Sequence, residues 1–309
     1  MRTISALVVT VGLLASLTAC ATASAPGEDG CPPTGDAAAV VTATGAFGEK
    51  PDAEVPSPIV TTETQVSTLI EVDGDEVVDG TPVLIDYTLY DGTTGAEVED
   101  SGYDGSLSAP ITVGGDALAP LASALECSRV GSRVAVAIKA SELSASVSGG
   151  AAETDDAPDA AYVAIVDIRQ SFLPSANGRH VLGAQGMPAV VTAPDGAPGI
   201  TVPASAAPTE PESHLVLDGS GRELTADDTA VVQFTAVTWD SPSTVATSTW
   251  TDGGAATSLP LGDEQVPASI RDALVGASIG SQVMVVVPAD EASGAPSTLV
   301  YVFDVLGAL

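Results

Sequence analysis

The chain has 309 residues, the length of two ordinary domains at roughly 150 residues per domain. It carries 41 Asp and Glu residues against 9 Lys and Arg, a formal net charge of -32 at pH 7, so it should repel nucleic acid rather than bind it. Only 16% of the residues are charged and 4% are aromatic, which favours strands with small side chains over long amphipathic helices.

The N-terminal segment predicts the cellular location of the protein. In "MRTISALVVTVGLLASLTAC", the basic Arg2 precedes an apolar run that ends in Leu17-Thr18-Ala19-Cys20. This run is too short for a stable membrane-spanning helix and is typical of a bacterial lipoprotein signal. The alternative is an ordinary signal peptide with a chance cysteine. We expect residues 1–19 to be removed and Cys20 to be acylated, anchoring the protein to the outer face of the cell membrane.

Besides Cys20, two cysteines remain in the predicted mature chain. Cys31 and Cys127 would both lie in an oxidising compartment, where an even pair indicates a disulfide. Free thiols or intermolecular bridges are the alternatives. We expect the intrachain bond, which would tie the N-terminal segment to the first domain.

The organisation of the remaining chain follows from composition. Residues 20–58 predict a flexible tether with an N-terminal strand, because "ATASAPGEDGCPPTG" is small, polar and rich in Pro and Gly. "GTPVLIDYTLYDGTTG" predicts a strand that ends in a turn, and "TAVVQFTAVTWDS" predicts its counterpart later in the chain. Between them, residues 171–213 are rich in Pro, Ala and Gly and predict a linker with one or two short strands.

The two halves repeat one pattern. "ECSRVGSRVAVAIKASELSA" is matched by "VGASIGSQVMVVVPADEASG". Each copy predicts a strand, a turn-rich segment, a strand that ends in "TVG" or "PLG", a short helix, a Gly-Ser turn and two more strands. The predicted helices are "LAPLASAL" and "VPASIRDAL", which are too short to be stable unless they pack on a sheet. The predicted last strands are "AAYVAIVDI" and "STLVYVFDVL".

This repeated order resembles the FKBP-type peptidyl-prolyl isomerases. The match is better in the second copy, through "GSGRELTADDTAVVQFTAVTWD", "SLPLG", "GASIGSQVMVVVP" and "STLVYVFDVL". The pair also resembles secreted actinobacterial lipoproteins with tandem domains of this kind. The resemblance implies an α+β fold with two FKBP-like domains, each a curved antiparallel sheet wrapped around one short helix. We place the domains at residues 59–170, in degenerate form, and at residues 214–309.

The resemblance also implies a shallow apolar pocket in each copy. In the second copy the family's pocket positions fall on Phe234, Val266, Ile270 and Tyr301, although the next residue, Pro267, removes a backbone donor that the family uses. The wall phenylalanine is missing from both copies. The floor tryptophan is replaced by Ile270 here and by Leu121 in the first copy.

The first copy retains a different part of the pocket. Its pocket strand carries Tyr87, and the acidic residue of the rim corresponds to Glu99. All of these residues have a plain alternative, because apolar residues in strands are core far more often than ligand contacts. The pattern needs no cofactor and contains no zinc or nucleotide motif.

Two classes of function remain open, beside a purely structural stalk. One is a membrane-anchored, extracytoplasmic peptidyl-prolyl isomerase that assists the folding of exported, proline-containing polypeptides. The other is a catalytically weak or inactive binding or chaperone module for the same polypeptides. We expect a monomer that binds no nucleic acid and contacts the membrane only through Cys20.

Overall fold

The computed structural model of the protein describes residues 31–105, 110–148, 158–251, 254–289 and 297–309. The predicted signal peptide and Cys20 lie outside these residues, so the lipid anchor stays a prediction. Within the described ranges, no helix has both the length and the apolar character needed to cross a bilayer.

Strands make up most of the regular structure. Among the described residues the helices are four short segments: α1 (Asp36–Ala39), α2 (Ala119–Ala124), α3 (Ala140–Ser148) and α4 (Ala268–Leu274). The first sheet contains β3 (Val60–Thr61), β4 (Gln65–Ile70), β5 (Pro82–Asp91), β6 (Glu97–Asp100), β7 (Ile111–Thr112), β8 (Arg133–Lys139) and β9 (Asp159–Ser171). The second sheet contains β10 (Arg179–His180), β13 (Glu212–Asp218), β14 (Thr229–Thr238), β15 (Ser241–Ser248), β16 (Thr257–Pro260), β17 (Gln282–Val287) and β18 (Leu299–Ala308). Two small antiparallel pairs, β1 (Thr42–Thr44) with β2 (Asp52–Glu54) and β11 (Ala189–Thr192) with β12 (Pro198–Thr201), complete the strands. The class is therefore mostly β, with several sheets, rather than the α+β class that the sequence predicted.

The two large sheets repeat one strand order. The first runs β4-β8-β9-β5-β6, with β7 on β5, and the second runs β13-β17-β18-β14-β15, with β16 on β14. The short helices α2 and α4 occupy matching places, immediately before β8 and β17. Bulges also match, since the register shifts between Thr68 and Ile70 in one sheet and between Leu215 and Leu217 in the other. The predicted repeat is confirmed at the level of topology, and both predicted helices are present.

One face of each sheet packs against its short helix. In the first sheet Leu121 and Leu125 join the core formed by Val134, Val136 and other residues of the same face. In the second sheet Ile270 and Leu274 join the corresponding core. Because side chains alternate between the faces of a strand, this leaves the intervening residues of each strand on the opposite face.

The opposite faces are also covered, in each case by a segment that precedes the long strands of the sheet. Ala37, Ala38 and Val41, from α1 and just after it, pack on Ala135 and Ala137 of β8. In the second sheet the segment around β11 and β12 packs on the face of Met284, Val286 and other residues. The central strands are therefore buried on both faces, which explains their continuous apolar runs. Residues 36–58, for which the sequence predicted a tether with one strand, instead form a helix and two paired strands, because the alanines of β8 leave room for them.

A buried polar pair lies on each of these covered faces. Arg133, which is fully buried, donates from Nε to Asp167 Oδ1 at 2.6 Å and from Nη2 to Oδ2 at 2.8 Å. Its guanidinium also donates to the carbonyls of Gly45, Ala46 and Glu49. The ion pair thus holds the N-terminal segment against the sheet.

The second sheet has a neutral partner in the place of the arginine. Gln282 lies opposite Asp304, as Arg133 lies opposite Asp167. Gln282 Nε2 donates to Asp304 Oδ1 at 2.7 Å, and the Ala176 backbone N–H donates to Oδ2 at 2.9 Å. Asp304 therefore holds the preceding segment too, but without a cation, and its burial raises the pKa of its carboxyl against the opposing effect of these two donors.

The predicted disulfide is confirmed. Cys31 and Cys127 are bonded, with their Cα atoms 5.6 Å apart. Cys127 follows α2, so the bond fastens the start of the described chain to the first sheet.

Replacing each of the two buried carboxylates by an amide should change the free energy of unfolding in opposite directions. Because burial raises the pKa of Asp304, the stability it contributes is present below the unfolded pKa and is lost as the pH rises through the folded pKa. Asp304→Asn should therefore increase the free energy of unfolding at neutral pH, by an amount that shrinks as the pH falls through the raised folded pKa towards the ordinary aspartate pKa. An asparagine can still accept from Ala176 and can donate to Gln282 Oε1, which has no partner among the described residues.

The matched variant is Asp167→Asn, which leaves Arg133 buried without its counter-charge and should cost about 3 to 5 kcal/mol. Urea unfolding of both variants across the acid-to-neutral range measures the two effects. A destabilised Asp304→Asn at neutral pH would contradict the assignment of a penalised carboxylate at this position.

Candidate functional site

Three aromatic rings lie together on the helix-bearing face of the second sheet. Phe234 on β14 lies opposite Phe303 on β18, and Tyr301 shares the face of Phe303 because the two are separated by one residue. The ring centroid of Phe234 lies 6.1 Å from that of Tyr301 and 5.4 Å from that of Phe303. The Tyr301 ring stacks on the Phe303 ring, with their centroids 5.6 Å apart. Phe303 is buried, whereas Phe234 and Tyr301 are half-buried. These three rings are called the ring cluster below.

Two aliphatic side chains from the α4 region contact the same core. Val266 precedes α4 and Ile270 lies in its first turn, and both are buried in the core cluster against which Phe234 and Tyr301 pack. Pro267 is the residue before the helix, with φ -51°, close to the value that a helix start requires. The structure therefore brings together the four residues predicted for the second pocket, with the two half-buried rings as the accessible part.

The backbone beside this cluster offers few free donors. Pro267 has no N–H, and the Val266 N–H donates to the carbonyl of Asp263 at 3.2 Å. The Pro267 carbonyl in turn accepts from Ile270 and Arg271 in the first turn of α4. A ligand carbonyl that approached here would have to find its donor on a side chain, such as the Tyr301 hydroxyl. Burial raises the pKa of Tyr301, so this hydroxyl keeps its proton at neutral pH.

The first sheet brings together the other two predicted residues. Tyr87 on β5 donates from Oη to Glu99 Oε1 on β6 at 2.8 Å. Tyr87 is half-buried against the core of α2, and Glu99 is exposed. Burial, followed by the hydrogen bond to Glu99, raises the pKa of Tyr87 to about 12. This site is thus a polar rim over an aliphatic core, unlike the aromatic site of the second sheet.

Two features of these sites were missed from the sequence. Helix α3 follows β8, and its Leu143 packs on the same core as Tyr87. Its Ser146 hydroxyl accepts from the Ala119 N–H at 3.2 Å, which places α3 beside α2. The helix-forming composition of "ASELSAS" was the available signal. Phe303 was also missed, although its alternation with Tyr301 on an apolar strand indicated a shared face.

Comparison with known proteins gives a likeness of structure only. No family model and no curated protein matches the sequence. The structure resembles the three FKBP domains of wheat FKBP73, with 17% identity, a TM-score of 0.29, and coverage of 79% of this chain and 94% of that one. It also resembles FkpA from Escherichia coli (22% identity, TM-score 0.29, 41% of this chain and 53% of that one). A third similar structure is a putative peptidyl prolyl cis-trans isomerase FKBP12 from Mycobacterium tuberculosis (19% identity, TM-score 0.28, coverage of 33% of this chain and 86% of that one). At these identities and TM-scores the likeness assigns no family to the chain.

The contact between Tyr87 and Glu99 predicts a measurable titration. Glu99→Gln removes the charged acceptor but leaves the burial of the phenol, so the pKa of Tyr87 should fall from about 12 but stay above the ordinary tyrosine value of 10.0. Carbon-13 NMR of the tyrosine ring carbons against pH measures this value. Tyr301, whose raised pKa has burial as its cause, serves as the internal control. An unchanged Tyr87 titration would mean that the hydrogen bond is not formed in solution.

Proposed function

We propose that the protein is an extracytoplasmic, membrane-anchored peptidyl-prolyl isomerase of FKBP type, with two FKBP-like domains and weak activity confined to the second. The observation that carries this proposal is the ring cluster, which presents two half-buried aromatic side chains over the buried Val266 and Ile270. The repeated strand order, with a short helix before β8 and another before β17, supports the proposal of two similar domains.

The reaction suits such a surface. An X-Pro bond isomerises slowly because the amide loses its resonance in the twisted transition state. An apolar site that binds the twisted amide better than the planar one lowers this barrier without a nucleophile, metal or cofactor. In the second sheet the rings of Phe234 and Tyr301 would contact the proline. The Tyr301 hydroxyl, protonated at neutral pH, would donate to the amide oxygen.

The alternative function is a binding or chaperone module that has lost catalysis. The state of the backbone beside α4 favours it, since Val266 donates within a turn and Pro267 has no donor. Both functions use the same surface and the same class of partner, a proline-containing exported polypeptide. They differ in whether binding is stronger in the transition state than in the ground state.

The proposed location rests on the lipoprotein-like signal and on the disulfide. A bond between Cys31 and Cys127 is expected of proteins that fold outside the reducing cytoplasm. The strongly acidic chain would be repelled by an anionic membrane surface, which agrees with attachment through the lipid on Cys20 rather than through a protein surface. We propose that it acts as a monomer.

The activity is tested on the full mature chain with a proline-containing peptide and with the refolding of a proline-limited protein. We expect weak acceleration in both assays, and Ile270→Asp should abolish it because a carboxylate replaces the apolar floor. Leu121→Asp, the same change on α2 of the first sheet, should leave the activity in place. If Leu121→Asp abolished the activity and Ile270→Asp did not, the active site would lie on the first sheet.

A buried charge can unfold a domain, at a cost of several kcal/mol, so a second variant is needed. Tyr301→Ala removes a half-buried ring and should reduce the rate roughly ten- to hundredfold while circular dichroism stays unchanged. Tyr87→Ala is its counterpart in the first sheet and should have little effect. If the wild-type protein accelerates neither reaction at high concentration, the binding module is the correct function.

The anchor is tested by metabolic labelling with a fatty acid. We expect label on the wild-type protein, and we expect Cys20→Ala to remove it and to release the protein or leave its signal uncleaved. Cys31→Ala provides the control, because it removes a cysteine of the described chain without touching the predicted lipid site. A wild-type protein that stays unlabelled would refute the anchor and leave the isomerase proposal standing.

A further inference from the structure

In the first sheet, the outer edge of β4 is paired with a short extended segment from the start of the described chain. The Val66 N–H donates to the Pro33 carbonyl at 3.0 Å, and Thr34 forms a parallel bridge with Val66. Beside it, Gln65 Oε1 accepts from the Ala37 N–H at 3.0 Å. The segment therefore adds a main-chain pairing and a side-chain contact to this edge.

The segment approaches β4 closely at the residue that follows Thr34. A Cβ atom at Gly35 would lie 2.2 Å from Gln65 Oε1. A larger residue would therefore displace the Gln65 amide and break its hydrogen bond to Ala37. Strand addition at this edge thus favours a glycine after the paired residue.

The register of the two sheets identifies the counterpart of Val66 in the second sheet. In β4 the register shifts after Thr68, which lies two residues past Val66. In β13 the register shifts after Leu215, which lies two residues past Ser213. Ser213 is therefore the counterpart of Val66.

The outer edge of β13 is open at this place. Within the described ranges, β10 pairs with the other end of β13, at Leu217 and Asp218, and the Val181 N–H donates to the Val216 carbonyl. No described backbone group pairs with the outer side of residues 212–215. The unpaired main-chain groups of an edge strand are a template for a further strand.

A groove runs between this open edge and α4. A space of about 250 Å³ is lined by Ser213 on the strand and by Ala268 and Ala273 on the helix. It continues into a space of about 360 Å³, which Ser213 and Ala273 also line and which extends to Val275. The two spaces and residues 212–215 are called the edge groove below.

The walls of the edge groove are acidic. They include Glu212, Glu223 and Asp272, and no Lys or Arg occurs among the lining residues of the described chain. Glu212 is exposed and is the counterpart of Gln65, so its carboxylate is placed to accept from a ligand N–H. These charges favour an uncharged or basic ligand, and they disfavour a second copy of a chain whose net charge is -32.

We propose that the edge groove binds an extended, uncharged or basic polypeptide segment, which adds to β13 as a parallel strand in the way that residues 33–35 add to β4. The Ser213 N–H would donate to a main-chain carbonyl of the segment, and the Glu212 carboxylate would accept from an N–H further along it. The site is separate from the ring cluster, because the rings lie on β14 and β18, and β17 separates these strands from β13. Binding here needs no proline and does not depend on the isomerase activity.

The test uses the full mature chain labelled with nitrogen-15 and an acetylated, amidated Ser-Val-Val-Thr-Gly-Lys-Ala peptide. This peptide follows residues 31–37, with valine in place of both prolines and lysine in place of the aspartate. The Ser213 amide signal should shift saturably, and its hydrogen exchange should slow. Ser213→Pro removes the donor at an edge position where proline is tolerated. Titration calorimetry should give an affinity about tenfold weaker for this variant, with an unchanged circular dichroism spectrum.

A charge reversal provides a second, independent variant. Glu212→Lys should weaken the binding of the lysine peptide about tenfold, and a peptide with Glu in place of Lys should bind this variant better than it binds the wild-type protein. Asp240→Lys makes the same change of charge at an exposed residue beyond the opposite edge of the sheet and should leave the affinity unchanged. A purely structural role of Glu212 would not produce the rescue by the acidic peptide.

The glycine of the peptide and the ring cluster are controlled separately. A peptide with Val in place of Gly should bind more weakly, because its side chain would displace the Glu212 carboxylate. Tyr301→Ala, which tests the isomerase proposal, should leave the affinity for the peptide unchanged.

Four results would overturn the proposal. One is an unmoved Ser213 signal at millimolar peptide. Another is an unchanged affinity in Ser213→Pro, which would remove the main chain of β13 from recognition. Loss of peptide binding in Tyr301→Ala would assign the peptide to the ring cluster instead. Sedimentation that shows a wild-type dimer and a monomeric Ser213→Pro variant would make a second copy of the chain the occupant of the groove.

Discussion

The buried carboxylate of the central strand is the constraint on which both halves of the molecule depend. Asp167 and Asp304 lie at matching positions of β9 and β18, on the face away from the short helix. Each accepts a hydrogen bond from the chain segment that precedes its sheet, Asp167 from the Gly48 N–H and Asp304 from the Ala176 N–H. A carboxylate is costly to bury without partners, so these donors fix where the covering segment must lie.

The covering segments turn an ordinary one-sided sheet into the middle layer of a three-layer structure. Without them, the alanine side chains of β8 and the methionine and valine side chains on the same face of β17 would form an exposed apolar surface. The two copies solve this problem with different polar chemistry, an arginine in one and a glutamine in the other. The same divergence is visible on the helix-bearing faces, where one copy has a tyrosine-glutamate pair and the other has the ring cluster.

The sequence predicted what depends on local pattern. The helices that contain Leu121 and Ile270 were found because Pro and Gly bound short apolar stretches, and the strands of Tyr87 and Phe234 were found from their β-branched residues. The covering role of residues 36–58 was not predictable, because "DAAAVVTATGAFGEK" becomes ordered only through contacts with Arg133 and β8, far along the chain.

The place of β9 and β18 in the strand order has a consequence for the way the chain matures. Each is the last strand of its sheet in sequence, yet each lies in the centre, between β8 and β5 or between β17 and β14. The central strand pairings of each sheet cannot form until β9 or β18 is present. Folding is therefore dominated by contacts of long sequence separation, which slows it. In the export that we propose for this chain, the covering segment would cross the membrane before the strand that carries its carboxylate. The protein would thus spend its export as an unfolded client of the same kind that it is proposed to assist.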